Sequence, residues 1–96
     1  MGVQMMGTVN ALAITKAFRE AEGDVITETQ FTNGYGMSVI RHQYSYGGRA
    51  GLFEIAVLDK WGEIMYDTPI TDDVLGSVTP EGVGLLALKI SQLPAA

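Results

Sequence analysis

His42 is the only histidine among 96 residues, and there is no cysteine. A thiolate zinc site, a thiol nucleophile and a disulfide framework are therefore excluded, and a Ser-His-Asp triad would have to be built on this one imidazole. The acid–base candidates are His42, Asp59, Glu63, Asp67, Asp72 and Asp73. General acid–base chemistry needs two such groups held across a pocket, and these residues follow no recognisable spacing that would hold them so. Asp72 and Asp73 beside Thr71 have the composition of a helix start, without the ligand spacing or closing glutamate of a calcium loop. Gly47-Gly48-Arg49-Ala50-Gly51 lacks the lysine of a phosphate-binding loop and precedes a strand pattern, so it reads as a loop tip whose Arg49 is free to meet a partner. The expectation is a protein that is not an enzyme and uses no metal or cofactor.

Chemistry of recognition is better represented. Tyr35, Arg41, His42, Tyr44, Tyr46 and Arg49 fall within one short stretch. Tyrosine and arginine anchor protein interfaces because they offer amphipathic area and forked hydrogen bonding at modest entropy cost. These residues form the expected partner-binding surface, with acidic support from Asp59, Glu63, Asp67, Asp72 and Asp73. The competing reading is that tyrosines in strands stabilise a sheet through cross-strand pairs. A second surface is suggested by Leu85, Leu88 and Gln92, which lie off the main apolar stripe of a helix formed by Val83, Leu86, Ile90 and Leu93. A helix apolar on more than one side must be buried on more than one side. A homodimer interface at Leu85, Leu88 and Gln92 is therefore expected, with Gly82 and Gly84 permitting close approach.

The elements that would position these residues can be read in turn. Thr8 to Glu22 has helical spacing, capped by Thr8 and stopped by Gly23. Val25 to Phe31 is a β-branched strand, and Asn33 to Gly36 is a hairpin turn. A second strand is expected over Met37 to Tyr46, and a third over Leu52 to Leu58 after the loop tip. Asp59-Lys60-Trp61-Gly62 predicts a turn into a fourth strand, Glu63 to Tyr66. Thr71 then caps a short turn ending at Gly76. Thr79, Pro80 and Glu81 supply a cap, a first-turn proline and a dipole-favoured carboxylate for a last helix ended by Pro94. The whole predicts one α+β domain over residues 1–96, with 1–7 disordered. It is a two-layer sandwich of a four-stranded antiparallel meander with two helices on one face, in the order α-β-β-β-β-α.

A formal net charge of −5 argues against direct nucleic-acid binding, since affinity for phosphate comes from Lys and Arg. No run is apolar enough to span a bilayer, and the N-terminal stretch lacks the pattern of a secretory signal, so a cytoplasmic setting is expected. The stretch from Phe53 to Glu81, a hairpin followed by an acidic turn and a capped helix, resembles small proteins encoded by phages and prophages. That group includes anti-CRISPR and other anti-defence inhibitors. The resemblance implies a compact acidic chain that binds and inhibits or modulates a host protein or ribonucleoprotein complex by occupying a surface. The carboxylates here are sparser than in acidic mimics of nucleic acid. The alternative expectation is a self-associating structural or accessory phage module.

Overall fold

The computed structural model describes residues 3–6 and 8–95. Its elements are β1 (Val3–Met6), α1 (Ala11–Glu20), β2 (Val25–Phe31), β3 (Gly36–Arg41), β4 (Phe53–Leu58), β5 (Leu75–Val78) and α2 (Pro80–Ser91), with a single 3-10 turn at Gly48–Ala50. From α1 onward the order is α-β-β-β-β-α and β2 to β5 are antiparallel, so the fold is α+β. The sheet has one further strand. β1 lies parallel to β2 at the edge of a sheet ordered β1-β2-β3-β4-β5. Of the N-terminal stretch expected to be disordered, residues 3–6 form β1, while residues 1, 2 and 7 lie outside the described residues. Parallel neighbours require a crossover, and α1 is that crossover, which brings it over one sheet face.

Local chemistry accounts for the helix ends. Asn10, rather than Thr8, caps α1, its Oδ1 accepting the Ala13 amide at 3.0 Å. Thr79 caps α2 as its sequence context predicts, accepting the Gly82 amide at 3.1 Å with Pro80 beginning the helix. Asn33 lies in the β2–β3 turn, where Gly34 adopts φ 94°. Its side chain donates to the carbonyls of Ile90 and Leu93 at 2.8 and 3.1 Å, so one turn residue also closes the C-terminal end of α2.

The fourth strand is displaced from its expected place. The Asp59–Gly62 turn forms, with Gly62 at φ 80° and Asp59 Oδ1 accepting the amides of Trp61 and Glu63. Only one bridge follows it, Leu58 to Ile64, together with the bond from the Met65 amide to the Val57 carbonyl. The chain then leaves β4 and returns to the same edge as β5. Pro69 lacks an amide to extend the ladder, and Thr71 and Asp73 bond to each other's neighbourhood, not to β4. Thr71 makes this local turn and caps no helix.

The core lies between one sheet face and the helices. Val25, Phe31, Met37, Val39, Phe53, Ile55 and Val57 meet Val83, Ala87 and Ile90, with Ile14 and Phe18 of α1 packed against them. Phe18 stands edge-on to Phe53 with centroids 5.3 Å apart. The helices touch closely at Gly84, where a Cβ would sit 2.4 Å from the Ala11 carbonyl oxygen and 2.3 Å from Thr15 Oγ1. Gly84, one of the two glycines expected to permit close approach, makes this contact within the chain.

Candidate surface on the open sheet face

Strand register defines the second face of the sheet. Ile26 pairs with Ile40 and Ile40 with Glu54; Glu28 pairs with Ser38 and Ser38 with Ala56; Gln30 pairs with Gly36 and Gly36 with Leu58. Directly opposed residues project to the same side, so these three rows form one continuous face. None of the row residues belongs to the helix-side core or packs against it. Ile64 extends the last row through its bridge to Leu58. Ala56 and Leu58 are buried, while Ile26 is 56% and Ile64 44% exposed.

The Arg41-to-Phe53 connection meets this face at one corner. β3 ends at Arg41 and does not run on to Tyr46, because Ser45 folds the chain back: its Oγ takes the His42 amide at 2.9 Å and returns a bond to the His42 carbonyl at 2.9 Å. Gly48 fits so tightly that a Cβ would fall 1.8 Å from the His42 carbonyl oxygen. The Tyr46 amide donates to Glu54 Oε1 at 3.1 Å, and its carbonyl accepts the Ser77 amide at 3.0 Å. Gly76 leaves room for the Tyr46 Cβ, which a Cβ of its own would approach to 2.5 Å. Tyr46 is thereby fixed beside the Ile26–Ile40–Glu54 row and is 66% exposed, and Tyr44 on the same loop is 78% exposed.

The expected interface residues separate into two groups. Tyr44, Tyr46 and Arg49 are exposed, whereas Tyr35 packs against the core. Arg41 is a structural clamp. Its guanidinium donates to the carbonyls of Ala21, Gly23 and Gly51 and lies 4.8 Å from the Phe53 ring centroid. His42 is half-buried, and its Nδ1 accepts the Tyr44 amide at 3.1 Å, which orients the loop. Both line an open groove of about 350 Å³ with Asp24, Gln43 and Arg49. Asp72 and Asp73 are exposed in the excursion before β5, and no hydrogen bond or ion pair among the described residues joins them to the tyrosines. Leu85 and Gln92 are exposed and Leu88 is half-buried on α2.

Ile26, Glu28, Ile40, Glu54 and Ile64 were not among the residues singled out from sequence. A signal existed in β2, where Ile26, Glu28 and Gln30 alternate with Val25, Thr27, Thr29 and Phe31. It could not be read without knowing which face the helices take.

Among the described residues no three His, Asp or Glu side chains converge as a metal site, and no helix is long and apolar enough to cross a membrane. No family model, curated protein or solved structure matches this chain.

Proposed function

We propose that this chain is a non-catalytic protein-binding module whose contact surface is the open sheet face together with Tyr44 and Tyr46. The observation that carries the reading is that Ile26, Ile64 and Tyr46 expose apolar surface along one helix-free face, with Tyr44 on the adjoining loop. Ile26 and Tyr46 flank the first row and Ile64 ends the third, with buried Ala56 and Leu58 between them, and large apolar side chains exposed on one face mark an interaction site. The loop holding the tyrosines is tied by internal hydrogen bonds, so little ordering entropy is lost when a partner seats on it. In keeping with its phage-like resemblance, the module inhibits or modulates a host protein complex in the bacterial cytoplasm.

The test is capture from bacterial lysate by the immobilised chain. The wild-type protein should retain a defined partner in stoichiometric amount, Ile26→Asp combined with Tyr46→Ala should lose it, and Leu85→Asp on the helix layer should keep it. Retention of the same proteins by wild type and by the double variant, with both folded, rejects the open face as the contact.

A second reading, a self-associating module, rests on Leu12 and Leu85, which are exposed on the two helices. Light scattering that gives a dimer for wild type and a monomer for Leu85→Asp would favour it.

A further inference from the structure

We propose that the partner surface seated on the open sheet face is cationic as well as apolar, presenting lysine or arginine over Glu28 and Glu54. This rests on the reading of that face as a protein-binding surface and adds the chemistry of the occupant. The three rows bring the half-buried Glu28 and Glu54 onto one face, on strands separated by β3, with the Glu28 carboxylate beside Gly62 of the Asp59–Gly62 turn, while the same rows contain no basic residue. Glu54 is held in place by the Tyr46 amide. Lys60, the basic residue of the nearby hairpin, lies 4.7 Å from the Trp61 ring centroid at the turn.

Three classes of occupant differ in how they meet this pattern. A second copy would bring its own Glu28 and Glu54 against the first, with a net charge of −5 on each chain and no cation in the rows to answer them. Like charges set face to face across an interface are strongly unfavourable. Nucleic acid and anionic lipid surfaces meet the same repulsion. A protein surface alternating apolar side chains with Lys or Arg answers both features at once: its apolar groups cover Ile26, Ile40 and Ile64, and its cations reach the two carboxylates.

Three short synthetic peptides titrated into the isotope-labelled full chain test this: one alternating valine with lysine, one with serine for each lysine, and one with glutamate. Amide shifts of Ile26, Ser38, Ile40 and Glu54 report the site. The lysine peptide should bind there about tenfold more tightly than the serine peptide, as expected of ion pairs to two half-buried carboxylates, and the glutamate peptide should not bind. Glu28→Gln combined with Glu54→Gln should reduce the lysine peptide to the level of the serine peptide and remove its salt dependence. Equal binding of the lysine and serine peptides would overturn the charge proposal and leave the docking face standing. Shifts confined to the helix layer would overturn both. Concentration-dependent broadening of the same signals without peptide would identify a second copy as occupant and overturn the cationic partner.

Discussion

At the scale of single residues, the largest reassignment is Arg41. Sequence placed it among interface arginines, yet its fork spans the end of α1, the α1–β2 connection and Gly51 after the Gly48–Ala50 turn, with its guanidinium carbon over the Phe53 ring. Lysine carries the charge but neither the fork nor the flat face. Arg41→Lys should therefore destabilise the fold by about 1–3 kcal/mol in urea unfolding, while leaving partner capture by the folded protein intact. Asn33 has a comparable role at the other end of the molecule. Asn33→Ala removes the hydrogen bonds to the Ile90 carbonyl in α2 and the Leu93 carbonyl just beyond it, and should cost about 1–2 kcal/mol, measured the same way. Neither role is visible in the chain order, because the accepting carbonyls lie 10 to 60 positions away in sequence.

At the scale of elements, the two helices are joined by close packing at Gly84 and by the Arg19–Glu81 ion pair at the start of α2. Gly84→Ala should destabilise by about 1–3 kcal/mol, since its Cβ meets the Ala11 backbone as well as the Thr15 side chain. Glu81 is held below the usual glutamate range, first by its hydrogen bond from Arg19 and then by its own backbone amide. A depressed folded-state pKa contributes stability that is present above the unfolded value and is lost as pH falls through the folded one. Both side chains are exposed, so solvent and salt screen the pair. Glu81→Gln should accordingly be slightly less stable than wild type at neutral pH and low salt, and the two unfolding curves should converge below the glutamate range. The helix N-terminus itself was legible from Thr79-Pro80-Glu81, because capping is decided within one turn. Strand ends were less so: β3 stops at Arg41 because Ser45 and His42 bond to each other, a local competition that alternation of residue types does not register.

At the scale of the whole molecule, β3 and β4 each have a strand on either side, and both contribute buried residues. Their amides should exchange with solvent most slowly, and those of the edge strands β1 and β5 faster, in a hydrogen-exchange experiment under native conditions. The same asymmetry accounts for the functional surface. Both helices gather on one side because α1 crosses over between the parallel β1 and β2 and α2 packs against it, which leaves the opposite side to Ile26, Ile40, Ile64 and Tyr46.

Amino-acid order by itself determined the α+β class, the last helix with its cap, and the turn at Asp59–Gly62, because each depends on residues a few positions apart. Tertiary structure decided that Leu75–Val78 and not Glu63–Tyr66 continues the sheet, that Val3–Met6 joins its edge, and that Ile26, Glu28, Ile40 and Glu54 share an open face. Which side of a strand faces water depends on where distant helices pack, and that is a competition for apolar area across the whole chain which no local pattern resolves.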